Sequence, residues 1–295
     1  MTATNGMLAA LPRIAYEDVV RGALREDLGA AGDLTSDAVV PATARAVCAL
    51  VARRAGTLAG IEPALLAFRL LDDGVVIERE RSDGDRVAAG ATIATVSGSA
   101  RALLGAERTA LNILSRLSGI ATLTAAYVAA AAPHAAAIVC TRKTTPGLRA
   151  LEKYAVRAGG GANHRFGLYD AILIKDNHVA IAGGVAEAIR AARASVGHLV
   201  KLEVEVDDLA QLRSALDAGA DVILLDNMSP EQLAEAVRIT GGRARLEASG
   251  SVSPENVNAI AATGVDLISV GRLTHSAPAL DIGLDFRPGL EGRPA

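Results

Sequence analysis

The sequence predicts an α/β protein in two parts, an N-terminal α/β sandwich domain and a C-terminal open, incomplete (β/α) barrel of about six strands. Its 295 residues are enough for two domains of about 150 residues each. Before Pro133, strand-like and helix-like stretches follow one another irregularly. After Pro133, a short apolar run alternates regularly with a helix-patterned stretch, and this alternation is typical of a parallel sheet covered by helices.

The N-terminal part carries signals for two helices and two strands. Apolar spacing after Tyr16 predicts an amphipathic helix that ends at Asp27–Gly29, where a turn begins. Alternating runs at 46–53 and 74–81 predict strands. Pro63 suits the first turn of a helix between these two strands. These elements predict a first α/β domain.

Two further stretches complete the N-terminal part. Residues 83–93 predict a strand, a turn and a second strand that form a hairpin. From Leu103 to Ala132 the pattern is helical but too long for one ordinary helix, so we expect a break at Gly119. We place the N-terminal domain at 1–115, joined by the tail 276–295, and the barrel domain, which carries the active site, at 116–275.

The C-terminal part contains six apolar runs, each of which predicts a parallel strand. Two of the intervening helices open with Ser-Pro and an acidic residue, which is a helix start signal. The six runs are Ala137–Cys140, Ala171–Ile174, Leu202–Val206, Val222–Leu225, Leu246–Ala248 and Leu267–Val270. The predicted helices are Gly147–Ala158, Val185–Ser195, Asp208–Ala218, Pro230–Thr240 and Pro254–Thr263.

Composition excludes several classes of protein. The formal net charge of -3 disfavours a nucleic-acid scaffold or a binder of membrane surfaces. Cys48 and Cys140 lie far apart and show no metal-ligand spacing, so we expect neither a disulfide framework nor a zinc site. The longest apolar segment is interrupted at Pro133, and no export signal is visible. We therefore expect a cytoplasmic protein with small-molecule partners.

Charged and small residues follow the six apolar runs. In a β/α barrel the C-terminal strand ends form one rim that carries the chemistry, so these residues should converge. Cations follow the first two runs, acids lie on the third and end the fourth, and small residues end the last two. The residues are Thr141–Thr144, Lys175–His178, Glu203 and Glu205, Asp226–Asn227, Ser249–Ser251 and Gly271–Arg272.

Each of these residues also has a structural interpretation. Glu203 and Glu205 alternate with apolar residues and share a face, so one of them could only neutralise Lys175 or Lys201. With Asp226, however, the pair could hold a hydrated magnesium ion through one or two carboxylates. The small residues would let backbone N–H groups approach a phosphate.

The combined set indicates a substrate with carboxylates beside a second substrate that carries phosphate and a magnesium-bound pyrophosphate. The sequence has no Walker-type Gly-x-x-x-x-Gly-Lys loop and no Gly-x-Gly-x-x-Gly fingerprint, which disfavours a nucleoside triphosphate or a dinucleotide. Phosphoribosyl transfer to an acidic base fits these requirements.

Several ordered motifs resemble those of the quinolinate phosphoribosyltransferase family, and the likeness extends from Asp27–Gly29 nearly to the C-terminus. Two departures stand out, because Ser251 occupies a position where a second glycine is usual and Met228 one where phenylalanine is common. The motifs are Glu107–Asn112, Thr141–Gly147, Gly161–Arg165, Ile174–His178, Glu203–Val206 and Leu225–Asn227.

The resemblance implies a glycosyltransferase of de novo NAD biosynthesis that converts quinolinate and phosphoribosyl pyrophosphate, with Mg2+, to nicotinate mononucleotide, pyrophosphate and CO2. It implies that quinolinate is bound by Arg142, His164, Arg165, Lys175 and, from a partner subunit, Arg108. It implies that Glu205 and Asp226 hold the metal, directly or through water. The residues implied for phosphoribosyl pyrophosphate are Thr141, Lys143, Glu205, Asp226, Ser249, Gly250, Ser251, Val270, Gly271 and Arg272.

The resemblance also implies a homodimer in which one subunit's N-terminal domain covers the other's barrel. Spacing alone would equally allow Glu107, Arg108 and Asn112 to be a solvated set on one helix face.

Two other functions stay open at this point. One is a related phosphoribosyltransferase that does not decarboxylate, and the other is a Schiff-base aldolase that uses Lys143 or Lys175.

Overall fold

The computed structural model describes residues 8–287. Its strands are β1 Arg45–Ala52, β2 Gly56–Thr57, β3 Val76–Arg79, β4 Arg86–Val87, β5 Thr92–Ser99, β6 Ala137–Val139, β7 Ile172–Ile174, β8 Leu202–Val206, β9 Val222–Asp226, β10 Arg245–Ser249, β11 Leu267–Ser269 and β12 Ile282–Phe286. Its α-helices are α1 Glu17–Leu28, α2 Leu34–Val39, α3 Ile61–Leu71, α4 Ala100–Ala131, α5 Arg149–Ala158, α6 Asp176–Ala182, α7 Val185–Ser195, α8 Leu209–Asp217, α9 Pro230–Thr240, α10 Val257–Ala262 and α11 Arg272–His275.

The chain divides into two compact units. The first contains the residues up to Leu123, Thr145–Gly160 and the residues from Ser276 onward, and the second contains Thr124–Thr144 and Gly161–His275. The sequence had placed the boundary at 115 and had assigned 145–160 to the barrel. The tail predicted to join the first domain extends to 295, and its residues 288–295 lie outside the described range.

Side chains of α5 explain why residues 145–160 pack with the first unit. Glu152 is fully buried and accepts hydrogen bonds from the Arg116 guanidinium, at 2.8 Å from Nη2. The Tyr154 hydroxyl donates to Asp83 at 2.7 Å. Both contacts join distant parts of the chain within this unit, and neither could be inferred from local sequence.

The first unit is built on a four-stranded antiparallel sheet in the order β12-β1-β5-β3. The chain's last strand pairs with β1, so that Leu50 lies opposite Leu284. The hairpin predicted at 83–93 is wrong, because β4 pairs with β2 and β5 pairs with β1 and β3. The apolar α3 and the buried side of β1 form much of this unit's core.

Helix α4 runs unbroken for 32 residues, so the break predicted at Gly119 is wrong. A Cβ on Gly119 would lie 3.0 Å from the Cα of Ala279, and the glycine therefore serves the close approach of another segment. Among residues 8–287, α4 is the one helix long and apolar enough to cross a membrane, and 44% of its most apolar window is buried. Leu103, Leu114 and Ile120 are almost fully buried, which is typical of a core helix.

The second unit has a six-stranded parallel sheet in the order β6-β11-β10-β9-β8-β7, as an open barrel requires. All six predicted strands are confirmed, and the sheet does not close between β6 and β7. The middle strands β8, β9 and β10 are buried on both faces, as expected for a parallel sheet covered by helices.

The helices of the second unit follow the predicted signals closely, with two differences. Ser229 and Gln232 form a capping box at the start of α9, with Pro230 in the first turn. In contrast, α10 begins at Val257 and not at Pro254, because Asn256 Oδ1 accepts the Ser253 N–H and closes a turn first. Helix α6, which directly follows Lys175, was not predicted.

Candidate active site

The C-terminal ends of the parallel strands surround one cavity of about 720 Å³ in the second unit. Every residue that the resemblance implied for this unit lines it. Asn227, which the sequence placed at this rim, also lines the cavity. The sequence had not assigned the other lining residues to a site; they are Leu173, Leu224, Glu247, Val252, Ser269 and His275. The full lining is Thr141, Arg142, Lys143, His164, Arg165, Leu173, Lys175, Glu205, Leu224, Asp226, Asn227, Glu247, Ser249, Gly250, Ser251, Val252, Ser269, Val270, Gly271, Arg272 and His275.

Strand register explains the convergence. Ser249 at the end of β10 lies opposite Asp226 at the end of β9, and Glu205 on β8 lies opposite Leu224. Because all the strands run in one direction, their final residues reach the same edge of the sheet. The Thr274 hydroxyl then donates to the backbone oxygen of Lys143 at 2.7 Å and fixes the loop after β6.

Two arginines form the most buried positive part of the cavity. The Arg165 guanidinium donates from Nη1 to the Ala171 carbonyl at 3.0 Å. Within residues 8–287, the buried Nε atoms of Arg142 and Arg165 have no hydrogen-bond partner. Burial, and then the neighbouring Arg142, lower the pKa of Arg165. Two adjacent guanidiniums with unused donors are suited to bind a carboxylate.

Lys175 and Glu205 form an ion pair inside the cavity. Lys175 Nζ lies 2.7 Å from Glu205 Oε2, and the side chains are 51% and 12% exposed. To bind a substrate, Lys175 would have to exchange Glu205 for an anionic group of the substrate. Glu205 would have to exchange Lys175 for a cation. The pair therefore links the positive side of the cavity to its acidic side.

The acidic side could hold a divalent metal ion. Glu205 and Asp226 present carboxylates from neighbouring strands, and Asp226 Oδ2 also accepts the Asn227 amide at 2.7 Å. Oxygen ligands from one or two carboxylates are the donor set of a magnesium ion that keeps several waters. The two residues therefore fit the predicted ion.

Small residues after β10 and β11 allow neighbouring segments to approach their backbone closely at the cavity. Gly250 has φ 104, and a Cβ there would lie within 3.0 Å of the Asn227 backbone nitrogen. Ser251 has φ 46, a left-handed conformation that glycine adopts more readily. This conformation accounts for the glycine that is usual at Ser251 in the resembled family. The Asn256 amide donates to the Ser251 carbonyl at 3.1 Å and holds the loop.

Sequence reasoning missed the pairing of His164. Its Nε2 lies 2.8 Å from Glu203 Oε2, so Glu203 neutralises neither Lys175 nor Lys201. Lys201 instead lies 3.2 Å from Asp221. Glu247, which is 1% exposed, lies beside this pair. A glutamate within an otherwise apolar predicted strand was the available signal for Glu247.

Arg108 does not line the cavity. It lies on α4 in the first unit, and its side chain is 74% exposed. Its nearest acidic atom, on Glu107, is 4.0 Å away, at the limit for an ion pair. An exposed arginine is free to bind another molecule, and its role stays a prediction.

Comparisons with known proteins match nearly the whole chain to a single family. Family models for the quinolinate phosphoribosyl transferase N-terminal and C-terminal domains match residues 33–118 and 120–285. The chain is 49% identical over 277 residues to the nicotinate-nucleotide pyrophosphorylase (carboxylating) of Mycobacterium leprae, which covers 92% of this chain and 97% of that protein. It is 47% identical over 260 residues to the probable enzyme of that name from Bacillus subtilis, which covers 88% and 89%.

Solved structures give the same result. The crystal structure of NadC from Streptococcus pyogenes has a TM-score of 0.91 and 43% identity, and the match covers 95% of this chain and 99% of that one. The nicotinate-nucleotide pyrophosphorylase from Francisella tularensis also has a TM-score of 0.91, with 39% identity over 95% and 99% of the two chains. The chain therefore belongs to the quinolinate phosphoribosyl transferase family.

Proposed function

We propose that this protein transfers the phosphoribosyl group of phosphoribosyl pyrophosphate to quinolinate, with loss of CO2, to give nicotinate mononucleotide and pyrophosphate. This is a step of de novo NAD biosynthesis. The observation that carries the proposal is one cavity in which Arg142, Arg165 and Lys175 face Glu205 and Asp226. The names of the relatives agree with it.

Quinolinate would bind at the positive side of the cavity. It carries two adjacent ring carboxylates, and the unused Nε donors of Arg142 and Arg165 supply complementary hydrogen bonds. Lys175 would complete the set after leaving Glu205. His164 would lie against the pyridine ring, because both of its ring nitrogens already have hydrogen-bond partners in Arg165 and Glu203. These contacts fix the ring nitrogen relative to the ribose carbon, so orientation is a large part of the catalysis.

Phosphoribosyl pyrophosphate would bind at the opposite side. The backbone around Ser249–Ser251 and Val270–Arg272 would receive the 5′-phosphate, and Thr141 and Lys143 the pyrophosphate. Glu205 and Asp226 would hold magnesium or the ribose hydroxyls. Magnesium, when bound, neutralises part of the pyrophosphate charge and makes it a better leaving group.

The reaction would begin with departure of pyrophosphate, which leaves an oxocarbenium-like ribose. The Lys143 ammonium would stabilise the charge that develops on the leaving oxygens. The pyridine nitrogen then captures the ribose carbon and becomes positively charged. That charge stabilises the electron pair left on the ring when the adjacent carboxylate departs as CO2, so no general base is required.

We further propose a cytoplasmic homodimer with shared active sites. The exposed Arg108 side chain would bind quinolinate in the partner subunit. This role would explain why Arg108 is exposed and does not line the cavity of its own subunit. The near-neutral formal charge of -3 is consistent with small-molecule substrates in place of nucleic acid or membrane.

One assay tests the reaction. Purified protein, magnesium, phosphoribosyl pyrophosphate and quinolinate labelled in the 2-carboxylate should yield nicotinate mononucleotide and labelled CO2 in equal amounts. Product without labelled CO2 would indicate a transferase that does not decarboxylate. A covalent adduct trapped by borohydride with a carbonyl substrate would indicate the aldolase. The ion pair of Lys175 with Glu205 disfavours an aldolase that uses Lys175, because Schiff-base formation needs an uncharged amine.

A further inference from the structure

A buried glutamate faces the cavity with no role in the proposed reaction. Glu247, on β10, lines the cavity and is 1% exposed. Within residues 8–287 its Oε1 atom has no hydrogen-bond partner, and the same is true of Glu203 Oε1. A buried carboxylate oxygen without a partner costs free energy, so this arrangement requires an explanation.

The hydrogen bonds of His164 determine where its proton lies. The backbone N–H of Arg165 donates to His164 Nδ1 at 2.8 Å, so the proton of the neutral ring is on Nε2. Nε2 then donates to Glu203 Oε2 at 2.8 Å. Glu247 Oε1 is 3.9 Å from Nε2, which is too long for a hydrogen bond.

These bonds argue against a metal ion in the cluster. Donor atoms of His164, Glu203 and Glu247 all lie within 4.8 Å of one another, which is suitable spacing for ligands. However, a ring nitrogen that carries a proton has no lone pair for a metal. The cluster is therefore better described as a place where a proton is held.

Glu247 holds a second proton of this cluster, distinct from the one on His164 Nε2. Glu203 accepts the hydrogen bond that His164 donates from Nε2, and a second buried negative charge beside Glu203 is unfavourable. Burial and the charge of Glu203 raise the pKa of Glu247 to about 7, and His164 and the Ser269 hydroxyl oppose the shift. At pH 7 Glu247 is therefore protonated in about half of the molecules, so the cavity can contain a buried carboxylic acid among its cations.

The proposed reaction needs such an acid. When CO2 leaves, the C–C bond breaks and its electron pair stays on the ring carbon, which must then take up a proton. An arginine cannot supply that proton, because its guanidinium remains protonated in proteins. Glu247 Oε1 lies 3.9 Å from Nε2 of His164, the residue that we place against the pyridine ring.

We propose, on the basis of the proposed function, that Glu247 is the acid that protonates the ring carbon after CO2 departs. The Glu247 O–H bond breaks, a C–H bond forms at the carbon that lost the carboxylate, and Glu247 is left as a carboxylate. It regains a proton from water before the next turnover.

Glu247→Gln tests this role, because the amide keeps the size and an N–H donor but has no transferable acid proton. Slow protonation gives CO2 time to add back to the ring. The assay contains 13C-labelled CO2 and pyrophosphate, so that a ring that has regained CO2 can return its phosphoribosyl group to pyrophosphate and leave as quinolinate. The variant should therefore place label in free quinolinate, whereas wild type should not. Turnover should fall about a hundredfold, while quinolinate binding, measured by calorimetry, should stay within about threefold. Glu247→Asp, which keeps the acid, should restore part of the turnover and abolish the exchange.

The outcomes separate the possibilities. Turnover of Glu247→Gln close to wild type would overturn the proposal, and so would a loss of turnover without 13C exchange, since that indicates a purely structural role. A wild-type protein that releases no CO2 from quinolinate would instead contradict the proposed function itself.

Discussion

Lys143 and Lys175 both line the cavity, but they differ in their contacts. Lys175 is held by Glu205 at 2.7 Å. Lys143 is positioned through its backbone, whose carbonyl accepts the Thr274 hydroxyl at 2.7 Å. A side chain fixed only at its base can follow the leaving group as its charge develops. We therefore assign Lys143 to the transition state and Lys175 to substrate binding.

Lys143→Ala should lower turnover at least tenfold, which is about 1.4 kcal/mol of barrier, while quinolinate binding is unchanged. Steady-state kinetics and calorimetry would measure the two effects. Lys201→Ala is the matched control, because Lys201 pairs with Asp221 and does not line the cavity. Near-normal turnover of the Lys143 variant would refute its role.

Gly250→Ala should damage the phosphate subsite specifically. A Cβ there would clash with Asn227, whereas Gly183, at φ 88, has no atom within 4 Å of an added Cβ. Both variants should lose about 1 kcal/mol from the left-handed backbone. Only Gly250→Ala should raise the KM for phosphoribosyl pyrophosphate, by about tenfold. An equal KM in the two variants would show that the phosphate does not bind there.

Individual side-chain pairs were the least predictable part of the site. The residue types at the strand ends identified the cavity, because the rule for parallel strands brings those ends together. The partner of Glu203 could not be predicted, since His164 comes from a loop 39 residues away and no local pattern links them. Glu247 was overlooked although a glutamate within an otherwise apolar predicted strand was a local signal for it.

Among the elements, the strands of the second unit were predicted well because each combines an apolar run with polar residues at its end. The conformations of Gly119 and of residues 83–93 were not predicted, because they depend on partners distant in sequence.

Acidic side chains accept backbone hydrogen bonds at the first residues of two of these strands. Asp221 Oδ2 accepts the Leu202 N–H at 3.0 Å, and Asp266 Oδ2 accepts the Leu246 N–H at 2.8 Å.

Asp221→Asn should destabilise the protein at pH 7 by about 1.5 to 3 kcal/mol, the range for hydrogen bonds to a charged group. Burial raises the pKa of Asp221, but hydrogen bonds from the Leu202 N–H, Arg193 and Lys201 outweigh it and lower the pKa overall.

The sign of the pH dependence follows from that lowered pKa. The stabilisation is complete above the ordinary value of 3.8 and is lost as the pH falls through the lower folded-state value. Urea unfolding of Asp221→Asn and wild type should therefore differ at pH 7, and the difference should shrink as the pH falls below 3.8. A constant difference would exclude a charge effect.

At the scale of the whole molecule, a shared active site predicts complementation. Arg108→Ala and Lys175→Ala subunits should each be inactive as homodimers. The refolded mixture should recover up to about a quarter of wild-type activity, because about half of its dimers are mixed and each mixed dimer has one of its two sites with both residues. Unfolding and refolding the mixture together provides the exchange, and separately refolded samples are the control. No recovery would count against a shared site.

The order of segments along the chain has a consequence for biosynthesis. The chain passes between the units four times, after Leu123, Thr144, Gly160 and His275. Strand β1, made early, waits for β12 at the end of the chain before its outer edge is paired. During translation that edge stays open while the entire second unit is produced, and an unpaired edge invites association with other chains. We therefore expect a nascent chain to need a chaperone at this edge until β12 has left the ribosome.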